Sequence, residues 1–109
     1  MLFFSGSDWC PYCLRFDKTI LKNPEFDQYA KDHLIILHAD FPQRKKQAEQ
    51  LVRQNEWLSE KYNPGGVFPT LLLFAPDTTL HDYLDYKNQN AALFLEQVKE
   101  KAASFQNRE

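Results

Sequence analysis

Cysteine is scarce in this chain of 109 residues: there are two, Cys10 and Cys13, separated only by Pro11 and Tyr12. A structural zinc ion wants four ligands, and the three histidines, His33, His38 and His81, lie far from the pair in sequence, so no metal site is expected. Charge of one sign is lacking as well. Thirteen basic residues stand against 15 acidic ones, net −2, which gives no electrostatic reason to expect nucleic acid or an anionic membrane as partner. No apolar run reaches the roughly 18 residues needed to cross a bilayer, and no basic-then-apolar leader is visible, so no membrane insertion of this chain is expected. Met1 nevertheless abuts Leu2-Phe3-Phe4, which reads as a core strand, and a leader or extra N-terminal element is therefore expected to have been removed. Internal repeats and low-complexity stretches are absent too.

What the chain does have is apolar mass. With 43% hydrophobic and 15% aromatic residues it can build one compact core and is too short for two ordinary ones, so residues 1–109 are expected to form a single, monomeric domain. Residues 2–5 read as a short buried strand that runs into a loop at Gly6-Ser7-Asp8. Pro11 suits the first position of a helix, whose face carries Cys13, Phe16 and Ile20 inward. Asn23 should cap a restart of that helix at Pro24, continuing to about residue 32, with a bend between the two parts.

Residues 33–39, HLIILHA, form an almost continuous apolar run, which predicts a strand covered on both faces. Helical spacing of Ala48, Leu51, Val52, Leu58 and Tyr62 predicts a helix over residues 44–62, with the charges at its start on a solvated face. Asn63-Pro64-Gly65-Gly66 is the strongest loop signal. Residues 70–74 and 79–86 read as an antiparallel hairpin. A last helix follows Asn90, with Ala91, Phe94, Leu95, Val98, Ala102 and Phe105 facing the sheet, and residues 106–109 should fray. The order predicts an α/β fold in which a βαβ unit with a right-handed crossover is followed by ββα, giving a four-stranded mixed sheet with helices on both faces.

The cysteine pair offers three chemistries. Metal is disfavoured as above, and a staple closing so short a loop stabilises little. An inert buried dithiol is the bland possibility. Redox chemistry fits better: at a helix N-terminus the free N–H groups and the helix dipole favour a thiolate, lowering a cysteine pKa from about 8.5 toward about 7 or below. Cys10 would then attack a substrate disulfide, and Cys13, one turn inward, would resolve the mixed disulfide.

Trp9-Cys10-Pro11-Tyr12-Cys13 after an apolar strand, with Phe68-Pro69-Thr70-Leu71-Leu72-Leu73-Phe74 after a long helix, resembles the thioredoxin-fold thiol–disulfide oxidoreductases. Gly6-Ser7-Asp8-Trp9-Cys10 together with Asp40-Phe41-Pro42 resembles a bacterial branch of thioredoxin-like reductases that are usually exported. The resemblance implies catalytic Cys10 and Cys13 and a cis peptide before Pro69. It implies a substrate groove shaped by Trp9, Pro11, Tyr12, Phe68, Pro69 and Thr70. It also implies no bound cofactor, a disulfide-containing protein as substrate, and an upstream protein electron donor. The bacterial periplasm or another extracytoplasmic space is the implied compartment, with the cytoplasm as alternative.

Three departures accompany the resemblance. Phe4 stands where thioredoxins proper carry a buried aspartate, so Cys13 is left to water or weakly to Asp8 for deprotonation. Asp85-Tyr86 replaces a groove glycine, implying a narrower or more polar groove, and Phe68 is bulkier than the usual residue before the proline. Two other activities stay open: a glutathione-dependent, glutaredoxin-like enzyme, suggested by Pro11-Tyr12 and Gly65-Gly66, and an oxidase or isomerase of exported proteins. A non-enzymatic docking role for the long helix is a third reading.

Overall fold

The computed structural model describes residues 1–106. Strand β1 (Leu2–Ser5) is followed by α1 (Pro11–Phe16), a π-helical turn (Asp17–Leu21), α2 (Pro24–His33), β2 (Leu37–Asp40), α3 (Glu49–Tyr62), β3 (Thr70–Phe74), β4 (His81–Leu84) and α4 (Ala91–Gln106). The four strands lie in the order β2-β1-β3-β4, with β1 parallel to β2 and antiparallel to β3, and β3 antiparallel to β4. This is the expected α/β arrangement.

The alternation of side chains along each strand divides the core into two layers. Phe3, Leu71, Leu73 and Leu84 face α1, α2 and α4, where they meet Phe16, Ile20, Phe26, Phe94 and Val98. Leu2, Phe4, Leu72 and Ala39 face the other way, toward Leu58 of α3. Central β1 is buried along its whole length because both of its faces and both of its edges are covered.

Proline opens both α1 and α2 at the first turn, where its missing N–H costs nothing. Asn23 caps α2 as expected, its Oδ1 accepting from the N–H groups of Glu25 and Phe26 at 3.0 and 3.1 Å. Ahead of the restart at Asn23 the chain forms a π-helical turn, where the Lys22 N–H donates to the Asp17 carbonyl. In the preceding turn the Thr19 hydroxyl donates to the Arg15 carbonyl at 2.7 Å, a local bond that competes with regular helix.

Several expected boundaries differ. The apolar run at residues 33–39 supplies a strand only from Leu37, and β2 lies at the edge of the sheet, so Ile35 is 88% exposed instead of covered on both faces. The helix expected from residue 44 starts at Glu49, and the N–H groups of Gln43 and Arg44 bind the Asp8 carboxylate in the loop before it. Leu51, expected inward, is exposed, while Asn55 is buried on the same helix. Strand β4 is shorter than residues 79–86: Asp77 Oδ1 accepts from the Thr79 N–H and hydroxyl, holding a turn at one end. At the other end the Asp85 backbone bonds to the Gln97 side chain of α4. Gln106 closes α4 instead of fraying, and residues 107–109, for which fraying was also expected, lie outside the described residues.

Candidate active site

Cys10 and Cys13 are joined by a disulfide where the loop after β1 enters α1. Cys10 is the N-cap of that helix, in extended conformation, and its Sγ accepts from the Cys13 N–H at 3.2 Å. One of the donors that a helix leaves unpaired at its start is thus already aimed at the outer sulfur. Both cysteines are closed in: Cys10 is 4% and Cys13 1% exposed, so the expected accessible outer sulfur is nearly covered in the oxidised form. Pro11 and Tyr12 between them are exposed.

The loop carrying Trp9 and Cys10 is tied to the end of β2 by three successive residues. The Asp40 carboxylate accepts from the Ser7 N–H at 3.0 Å and the Ser7 hydroxyl at 2.6 Å. Asp8 accepts from the N–H groups of Gln43 and Arg44 at 2.9 and 2.8 Å. The Trp9 indole N–H donates to the Phe41 carbonyl at 2.6 Å. Gly6 makes room for this arrangement, since a Cβ there would overlap the Trp9 indole. The Trp9 ring then meets Phe68 edge-on at 5.3 Å, and Phe68 meets Phe41 at 5.5 Å, linking the cysteine loop to the peptide bond between Phe68 and Pro69, which is cis.

The profile of the thioredoxin-like family matches residues 1–76. The chain belongs to the thioredoxin-like family. It is 33% identical over 98 residues to the disulfide bond reductase DsbH of Chlamydia pneumoniae, a match covering 90% of this chain and 58% of that protein. Identity to the thioredoxin-related protein DsbJ of the same organism is 29% over 62 residues, 57% of this chain and 18% of that one. Among solved structures, a DsbH oxidoreductase superposes with a TM-score of 0.80 at 30% identity, over 94% of this chain and 70% of the other. A thioredoxin from Thermus thermophilus shares the fold, with a TM-score of 0.63 at 14% identity over 94% of this chain and 72% of its own. The thioredoxin-like chain therefore spans little more than half the length of its DsbH relative, 58%.

Within this thioredoxin-like site, the structure brings Trp9, Cys10, Cys13 and Phe68 into one packed group. Thr70 is engaged elsewhere: its hydroxyl donates to the Val67 carbonyl at 2.6 Å, so it shapes the loop before Pro69. Asp8 serves as a tether of the cysteine loop. Its two oxygens are both occupied by backbone N–H groups, and those of Gln43 and Arg44, with the nearby charges of Lys45 and Arg44, hold its carboxyl below the usual range of 3.8. Phe4, where thioredoxins proper carry an aspartate, is fully buried in the layer facing α3, whereas the cysteines belong to the other layer. Tyr86, where a groove glycine was implied, turns its ring onto Phe16 at 5.0 Å and toward Phe94, in the same core layer as Cys13.

Residues that sequence reasoning passed over hold the site from behind. Asn55 donates through Nδ2 to the Asp40 carbonyl at 2.9 Å, steadying the strand end that grips Ser7. Asn63 binds Val67 twice, Nδ2 to its carbonyl at 2.9 Å and Oδ1 from its N–H at 3.2 Å, and so closes the loop in which Gly66 takes a φ of +64°. Both asparagines sit on expected helix or loop positions, and only their burial distinguishes them. The histidines are used by rings: His33 lies beside Tyr29, His38 stacks on Phe3, and His81 contacts Tyr62 and Phe74. An apolar cleft of about 610 Å³, lined by Met1, Ile35, Trp57 and Phe74, opens at the other end of β1, away from the cysteines.

Proposed function

We propose that this thioredoxin-like protein is a protein disulfide reductase in which Cys10 attacks and Cys13 resolves. The observation that carries the proposal is Cys10 at the head of α1, bonded to Cys13 and receiving the Cys13 N–H on its sulfur. In the reduced form the same N–H and the helix start favour negative charge on Cys10 over Cys13. The Cys10 thiolate displaces one sulfur of a substrate disulfide, forming a Cys10–substrate bond and releasing a substrate thiolate. Cys13 then loses its proton to water and attacks the Cys10 sulfur. The Cys10–Cys13 bond forms, the second substrate thiolate leaves, and two electrons have passed to the substrate. The two released thiolates take up protons to become thiols.

Trp9, Pro11, Tyr12, Phe68 and Pro69 form the groove that receives the substrate chain, with Thr70 acting through Val67. No bound cofactor is required. The electrons return from an upstream dithiol protein, and the reducing direction is supported by the designation of the DsbH relative as a disulfide bond reductase. Work outside the cytoplasm follows from that kinship, since disulfides persist in oxidising compartments.

The test is a pair of single-cysteine variants. Cys13→Ser should accumulate a mixed disulfide through Cys10 with an insulin-type substrate, visible by mass spectrometry of non-reduced protein, and Cys10→Ser should form none. Turnover of insulin by Cys10→Ser, or catalytic reduction of a glutathionylated peptide by Cys13→Ser, would contradict the two-cysteine assignment.

A further inference from the structure

Asp40 closes β2, and its carboxylate, with 18% of the side chain exposed, is committed to one residue of the cysteine loop. It accepts from the Ser7 N–H at 3.0 Å and from the Ser7 hydroxyl at 2.6 Å. The Ser7 N–H belongs to the same peptide unit as the Gly6 carbonyl, and that carbonyl accepts from the Cys10 N–H at 2.9 Å and the Trp9 N–H at 3.2 Å. This peptide is trans and planar, its N–H and C=O pointing in opposite directions, so a grip on one end aims the other. Two hydrogen bonds and one rigid plane therefore connect the carboxylate to the backbone of Cys10.

Asp40 is itself held from the other side. Its carbonyl accepts from Asn55 Nδ2 of α3 at 2.9 Å and from Gln47 Nε2 at 3.2 Å, and the next residue donates its N–H to the Ser5 carbonyl of β1 at 2.8 Å. The grip on Ser7 thus starts from a fixed point. By charge alone a carboxylate beside the loop disfavours a second negative charge on Cys10. Any help it gives the thiolate must come through geometry, and the two contributions have opposite signs.

We propose that Asp40 is a positioning residue for the attacking cysteine: through the Gly6–Ser7 peptide it holds the Cys10 backbone where the Cys10 sulfur meets the Cys13 N–H, and this outweighs the repulsion of its own charge. The sulfur sits 3.2 Å from that nitrogen. The proposal deepens the reductase reading above and rests on it, since it gives Cys10 the attacking role.

The experiment uses the full chain carrying Cys13→Ser, in which Cys10 is the one thiol, and follows its alkylation by iodoacetamide across pH. Asp40→Ala should raise the alkylation midpoint by about one pH unit, toward the ordinary thiol value of about 8.5, and slow mixed-disulfide formation with an insulin-type substrate at pH 7 about tenfold. Asp40→Asn keeps an oxygen for the Ser7 N–H and loses the charge, so its midpoint should stay at the parent value or fall below it. Ser7→Ala loses only the hydroxyl bond and should shift upward by less than Asp40→Ala. The other charged groups bound at this loop, Asp8, Arg44 and Lys45, and Arg15 on α1 are the same in every variant. A midpoint in Asp40→Ala at or below the parent value would overturn the proposal, because a merely structural carboxylate leaves it unmoved and a purely electrostatic one lowers it. Should Asp40→Ala fail to fold, Ser7→Ala decides, and an unmoved midpoint there overturns the proposal as well. Absence of any mixed disulfide with Asp40 intact would overturn the reductase reading instead, while the alkylation midpoints still judge Asp40.

Discussion

Asp8 stands two residues before the outer cysteine, yet its carboxylate serves the loop at Gln43 and Arg44. A depressed folded-state pKa has a definite sign. Ionised Asp8 contributes stability above its unfolded value near 3.8, and the contribution disappears as pH falls through the lower folded value and a proton displaces the N–H bonds. The melting-temperature deficit of Asp8→Asn should therefore be largest near neutrality and shrink below about pH 4, as thermal melts across that range would show. The pH dependence of single-turnover disulfide reduction should be the same in Asp8→Asn and wild type, because both carboxylate oxygens are engaged by the backbone at Gln43 and Arg44. A shifted rate profile would return Asp8 to the chemistry. From sequence, Asp8 is only a loop residue near the site; its partners lie 35 and 36 residues away, and no local pattern marks them.

The loop between β1 and α1 works as one element because Ser7 binds the last residue of β2 while Asp8 and Trp9 bind the segment after it. Gly6 is its tightest point. In a Trp57→Phe background, Gly6→Ala should shift Trp9 fluorescence to longer wavelength as the added Cβ pushes the indole off Phe41 and Phe68 into water; an unchanged spectrum would show that the loop absorbs the methyl. Local chemistry made much of this scale legible. Pro11 and Pro24 mark helix starts, Asn23 and Asn90 act as caps, and the turn after Phe74 joins an antiparallel pair. The reading failed where an apolar pattern had to reveal what covers it. Residues 33–39 look like an interior strand, but hydrophobicity alone does not distinguish a central position from an edge, and Ile35 faces solvent. Asn55 failed in the opposite sense: polar by type, it is buried and donates to the Asp40 carbonyl, 15 residues earlier, a partner no local pattern marks.

At the scale of the whole molecule, two core layers hold β1 and β3 rigidly and deliver the cysteine loop and the Phe68–Pro69 turn to the same end of the sheet. Phe68 belongs to both layers, so the site rests on the packing of each. The paired motifs around Cys10 and Pro69 made the fold and the reacting sulfurs readable, whereas the tethers through Asp40, Phe41 and Asn63 depend on long-range geometry. Direction of electron flow is a property of the entire oxidised and reduced states, and about 30 mV corresponds to about 1.4 kcal/mol between them. Equilibration of the Cys10–Cys13 couple against glutathione buffers, followed by thiol-trapping mass spectrometry, measures it directly. A reductase requires a potential in the thioredoxin range, near about −270 mV; a value near about −120 mV, typical of a strong oxidant, would contradict the account.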